Sequence, residues 1–337
     1  MLFVDASLLV DNPLDAGPVA RGIEDAGYDG AYTFEGRHDP FMPLLAAAGS
    51  TSRLQLSTGI AVALARNPML LANLGYDLQL ASGGRFVLGL GSQIRPHIEK
   101  RFSATWSHPA ARMREMVLAI RAIWDCWQEG KALDFRGEFY THTLMTPFFN
   151  PGPNPHGLPA IHLAGVGPAM TEMAGEVGDG FLVHPFNTPD FVAQDLLPAL
   201  ARGRARDGAR AGPIDISCQV IVATGDTPEE RAASLQMARA QVSFYASTPA
   251  YAPVLERHGW ADLQPQLNLL SKQGRWQEMS ALLSDELLDA VVVQGDPESA
   301  GAAIRARCGS WCTRVSPVVY GGDAAVPARL VRAIKGV

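Results

Sequence analysis

Cysteine is scarce in this chain, long apolar runs are missing and positive charge is in deficit, and each shortage removes a class of protein. The four cysteines, Cys126, Cys218, Cys308 and Cys312, form no C-x-x-C pair and have no matching histidine spacing. Core thiols are therefore expected, with neither a disulfide framework nor a bound metal. No uncharged run approaches the roughly 20 residues that span a bilayer, and the opening MLFVDASLLVDNP has no basic region ahead of its short apolar run. The expectation is a cytoplasmic protein with no membrane partner. Asp and Glu outnumber Lys and Arg, 34 to 28, for a net charge of -6. A surface that tracks phosphates needs clustered positive charge, so nucleic acid is not an expected partner and a small-molecule substrate is. No P-loop or G-x-S-x-G motif occurs. Gly89-Leu90-Gly91 begins a dinucleotide fingerprint, but Ile94 stands where its third glycine belongs.

What is present is material for a large core, 47% hydrophobic residues with 18% charged, arranged in a strand and helix rhythm. Residues 57–91 show the unit most clearly. An uncharged run rich in small and β-branched residues, 57–64, suits a strand covered on both faces. From Pro68, Met69, Leu70, Leu74 and Leu78 follow helical spacing until Gly83-Gly84, and 85–90 resumes as a strand. Such a crossover is right-handed and makes the two strands parallel. Further strands are expected at 2–10, 29–34, 159–164, 180–183, 214–223 and 314–320, with helices between them and an irregular or hairpin-like stretch at 133–155. Eight strands in mostly βα order favour a (β/α)8 TIM barrel, one domain over 1–337 with a helical insertion at about 248–288. In that fold chemistry gathers in the loops after the strands.

Those loops hold the candidates. His38 follows the second strand, where an imidazole titrating near neutrality can pass a proton, and Glu35 beside it could tune the ring or bind a hydroxyl. Gly165-Val166-Gly167 lies between a strand and a helix, where backbone N–H groups and the helix dipole favour an anion. A plain tight turn is the alternative. Arg112 could fork onto a phosphate or sit on a solvated helix face. Gly89, Gly91 and Ser92 could admit a flat ring or merely let the strands close. Trp106, His184 and Phe186 could line the substrate side or serve as packing.

The order of TFEGRHDPF, STGIAVALARNP, DLQLASGGRFVLGLG, HPAARMREMVLAIRAIW and LAGVGPAMTEMAGEVGDGFLVHPF resembles the luciferase-like monooxygenase superfamily, and within it the coenzyme F420-dependent oxidoreductases. The resemblance implies a bacterial luciferase-like barrel with the deazaflavin across the strand ends. It implies a cis peptide at Gly59-Ile60 behind the ring, His38 near the reactive carbon with Thr33 and Glu35 close by, and phosphate held by Gly165, Val166 and Gly167. Arg112 matches a phosphate arginine of the flavin-using branch. The implied activity is hydride transfer between F420 and a small organic substrate, by a homodimer, with a separate reductase recycling the coenzyme. An FMN-dependent monooxygenase is one alternative and a non-catalytic deazaflavin-binding barrel another.

Overall fold

The computed structural model describes residues 2–321 and 326–337. Its strands, in chain order, are β1 Phe3–Ser7, β2 Gly30–Thr33, β3 Gln55–Thr58, β4 Ala61–Val62, β5 Phe86–Gly91, β6 Phe135–Arg136, β7 Thr141–His142, β8 Ala160–Ala164, β9 Gly180–Val183, β10 Asp215–Thr224, β11 Val293–Gly295 and β12 Arg314–Val319. The parallel order β10-β12-β1-β2-β3-β5-β8-β9 returns to β10, so eight strands close a barrel. Helices between successive strands cover its outside. This is the TIM barrel that the strand and helix rhythm predicts. β5 is buried at every position, which explains its uninterrupted FVLGLG.

The helices begin where their sequences say they should. Asn67 Oδ1 accepts the Met69 N–H at 2.8 Å and Pro68 occupies the first turn of Pro68–Ala81. Thr227 and Glu230 form a reciprocal capping box on Pro228–Ala246. Residues 190–202 read as one uniform helix, whereas the structure has helix over 189–204 with a π turn at Val192–Leu196. Pro198 lies just beyond that turn, and its missing N–H and bulky ring disturb the regular bonding of the residues before it. Two short features also escape periodicity. The hairpin of β6 and β7 has only two residues per strand, and β11 extends the edge of β10 with three.

The lower interior of the barrel is polar and paired. Arg314 Nε donates to Asp5 Oδ2 at 2.8 Å, tying β12 to β1, and the neighbouring Gly30 leaves space for that carboxylate. His162 fills the corresponding space beside Gly180, and its burial lowers its pKa to about 4. From 249 to 291 the chain runs through helices Ala252–Glu256, Leu263–Lys272, Trp276–Ala281 and Asp285–Val291. Thr188 Oγ1 meets His258 Nε2 at 2.8 Å, and Arg257 forks onto Asp195, so this segment is fastened to the loop and helix after β9. Among the described residues no helix is long and apolar enough to cross a membrane.

Candidate active site

β3 and β4 are one barrel strand interrupted by a bulge. Ser57 pairs with Val87 and Ala61 with Leu90, so the β3 side carries one residue more than β5 between those pairs. The Gly59-Ile60 peptide within this bulge is cis, the configuration that the resemblance implies there. Four contacts hold it in place. Thr58 Oγ1 donates to the Gly89 carbonyl at 2.7 Å and accepts the Gly89 N–H at 2.9 Å. The Gly59 N–H donates to the Thr33 carbonyl at 2.6 Å, and the Glu35 N–H donates to the Ile60 carbonyl at 3.0 Å.

Gly59 and Ile60 form part of the wall of a cavity of about 560 Å³. Gly91 and Ser92 reach it from the end of β5, Trp106 from the following segment, Gly165 to Gly167 from the end of β8, and His184 from the end of β9. Thr248 to Tyr251 close one side, so the start of the helical segment contributes directly to the cavity. Gly165-Val166-Gly167 has the features of an anion cradle. Among the described residues none accepts the N–H of these three, no side chain caps the helix Pro168–Val177, and Pro168 has no N–H to satisfy. A Cβ at Gly167 would meet nothing, because that position faces open space. The turn therefore fits the phosphate end of a flavin-like coenzyme.

Several other expected site residues lie outside the cavity wall, and the structure shows what occupies them. Gly89 cannot give room to a ring, because a Cβ there would be driven into the Thr58 carbonyl oxygen. Thr33 is buried and donates its hydroxyl to the Pro40 carbonyl at 2.7 Å, closing the loop that contains Glu35 and His38. The Glu35 carboxylate is already engaged: it accepts the Val62 N–H at 2.7 Å and pairs with Arg66, whose other nitrogen reaches Asp39 at 3.0 Å. A carboxylate so tied braces the bulge rather than offering a free proton site. His38 is exposed on its loop at the same barrel end. That loop is held by Arg101, which donates to the Gly36 carbonyl at 2.7 Å. Arg112 donates to Ser107 Oγ at 2.7 Å and stacks over Phe139, leaving its buried Nε without a partner. Phe186, 1% exposed, packs behind His184 near Tyr245 and Tyr251.

Sequence reasoning named the loop of Arg66 but not its pairing, and missed Gln219 and Tyr251. Arg66 sits in a loop that follows a strand, which is a readable signal, but its pairing with Glu35 depends on two neighbouring strands. Gln219 and Tyr251 carry no local signal, since each becomes a wall residue only through the closure of the barrel.

A luciferase-like monooxygenase family model matches residues 7–311. The chain belongs to this family. A Mycobacterium tuberculosis protein of uncharacterized activity is 54% identical over 90% of this chain and 89% of its own length. The 5,10-methylenetetrahydromethanopterin reductase of Archaeoglobus fulgidus is 31% identical over 82% of this chain and 80% of its own length. Among solved structures, the coenzyme F420-dependent tetrahydromethanopterin reductase of Methanopyrus kandleri superposes with a TM-score of 0.77 at 20% identity, covering 98% of this chain and 97% of that one. Two of these three proteins carry reductase names, one of them F420-dependent.

Proposed function

We propose that the protein is an F420-dependent oxidoreductase that exchanges a hydride between the deazaflavin and a small organic substrate. The observation that carries this reading is the Gly165 to Gly167 turn, with its unpaired N–H groups, sharing one cavity with the Gly59-Ile60 bulge. The names of the relatives support the choice of coenzyme. F420 would supply the hydride chemistry, and the protein supplies position, shielding and proton transfer.

In this reading Gly165, Val166 and Gly167 bind the phosphate, with Gly59, Ile60, Gly91 and Ser92 against the ring. Thr33, Glu35 and Gly89 act from behind the wall by fixing the bulge. His38, exposed on its loop at the same barrel end, would take or give the proton at an imidazole nitrogen. The segment 95–101 would offer an anionic coenzyme tail the charge of Lys100, Arg95 being partly neutralised by its pair with Glu99.

Titration of the full-length protein with F420 and with FMN, read by ring fluorescence, tests the assignment. F420 should bind and FMN should not. Binding of FMN alone would move the protein to the monooxygenase side, and binding of F420 with no oxidoreduction over a broad carbonyl and alcohol panel would make it a carrier. In the same titration His38→Ala should keep F420 affinity while turnover falls roughly 10²-fold or more. Unchanged turnover would remove His38 from the mechanism.

A further inference from the structure

The loop after β9 presents one histidine to the cavity in a single protonation state. His184 Nδ1 accepts the N–H of Phe186 at 3.1 Å. A backbone N–H can only donate, so Nδ1 carries no proton and the ring's one proton sits on Nε2. Nε2 has no protein partner among the described residues and is not one of the sealed, unpaired polar atoms. It therefore opens into the cavity that His184 lines. The ring is held in that pose by stacking on Tyr251, with centroids 4.2 Å apart, and by the edge contact of Tyr245 at 4.7 Å. Burial keeps the imidazole neutral, pulling its pKa down to about 3. The titratable side chains packed against it, Tyr245 and Tyr251, are phenols that burial pushes upward, Tyr251 to about 12.

The rest of the wall is matched to an uncharged occupant. Ile60, Trp106, Met170 and Leu182 make it largely apolar, and among the described residues no Asp, Glu or Lys lines it. The one cationic side chain among the described wall residues, Arg95, is ion-paired with Glu99 at 2.9 Å. A phosphate or carboxylate on the substrate would enter a low-dielectric space with no free counter-charge among the described residues beyond the coenzyme's own cradle, which is costly. An apolar molecule with one oxygen acceptor faces no such cost.

We propose that His184 is the residue that selects and orients the substrate, its Nε2–H donating to the oxygen of an uncharged, mainly apolar carbonyl compound or the corresponding alcohol, and that phosphorylated substrates are excluded. The proposal rests on the reading of this cavity as the site of hydride exchange. His184 acts as a positioning residue whose donor is present at every pH at which the protein works.

The test uses full-length protein, with and without F420, titrated with 2-acetylnaphthalene, 2-ethylnaphthalene and 2-naphthyl phosphate by probe fluorescence. The ketone should bind about tenfold tighter than the hydrocarbon of the same shape, the worth of one good hydrogen bond, and, with F420 filling the Gly165 to Gly167 turn, the phosphate should bind most weakly. That preference should stay flat from about pH 5 to about pH 9. His184→Phe should abolish it without changing hydrocarbon affinity. His184→Gln, whose amide can accept from Phe186 and still donate, should keep it. Equal affinity for ketone and hydrocarbon in the wild type, a preference that survives in His184→Phe, or phosphate binding as tight as the ketone's in the F420-loaded protein would each overturn the proposal. If His184→Phe fails to fold by circular dichroism, the other two readouts decide: loss of the preference in His184→Gln, or on crossing about pH 6.5 in the wild type, counts against it. Failure of F420 to bind with the ketone preference intact would strike the coenzyme assignment and leave that of His184 standing.

Discussion

Two glycines, one inside β5 and one in the turn past the neighbouring β8, have opposite reasons to be glycine. Gly89 is small because Thr58 crosses to its backbone and leaves no volume for a Cβ, whereas Gly167 is small beside open space. The backbone of Gly167, at φ -72° and ψ 150°, suits any residue. Alanine should separate the two roles. Gly89→Ala should destabilise the fold by about 3 kcal/mol through overpacking, while Gly167→Ala should leave stability within about 0.5 kcal/mol and weaken F420 binding about tenfold, the methyl standing where the phosphate would approach. Urea melts of both variants, followed by coenzyme titration of the alanine at 167, check both halves. A Gly167→Ala protein that binds F420 as the wild type does would remove the turn from the coenzyme site.

At the scale of elements, the end of the barrel away from the cavity is tied by ion pairs among three helices and a strand start. Glu176 joins Arg114 of Pro109–Glu129 at 2.6 Å to Arg206 at 2.8 Å, just past Leu197–Arg204. Glu172 meets Arg206 and Arg202, and Asp179, before β9, meets Arg121 at 3.0 Å and also Arg210. Burial pushes the carboxyls of Asp179 and Glu176 up. The guanidinium groups, and for Asp179 also the Ile161 N–H, outweigh that push and hold both below their usual range. Glu172 is lowered by its bonds to Arg206 and Arg202. Depressed native values mean that these groups add stability above the unfolded carboxylate values, near pH 4, and lose it as pH falls through the lower native ones. The urea midpoint should therefore hold between about pH 7 and 5 and drop below about pH 4. Asp179→Asn should lower the midpoint at pH 7 and flatten the acid slope. An unaltered slope would show that these pairs do not govern acid unfolding.

For the whole molecule, the arrangement divides into a paired, buried base and an open end where strands stop and loops converge. The outer surface carries apolar side chains that a lone barrel leaves exposed, among them Met42 and Leu45 on Phe41–Ala48 and Leu70 on the adjacent Pro68–Ala81. We infer that this face joins two copies, which fits the homodimer implied by the resemblance. Light scattering should return about twice the mass of one chain, and Met42→Glu with Leu45→Glu should return one. A wild-type monomer at micromolar concentration would refute the dimer.

The alternation of strand and helix, the parallel crossover at 57–91 and the glycine turn before Pro168 were legible in the residues, because each depends on neighbours a few positions away. Periodicity, helix starts and turn chemistry are local, and they suffice to specify a barrel and to name the end where ligands bind. Which residues face the cavity was another matter. Glu35 reads as a candidate acid or base until Arg66 and the Val62 N–H, some thirty residues on, claim its oxygens. Gly89 reads as room for a ring until Thr58 fills that room. His184 becomes a fixed donor only where Tyr251, far along the chain, stacks on it. A side chain's role at a site depends on what occupies its donors, acceptors and free volume, and those partners are assembled only when the barrel closes.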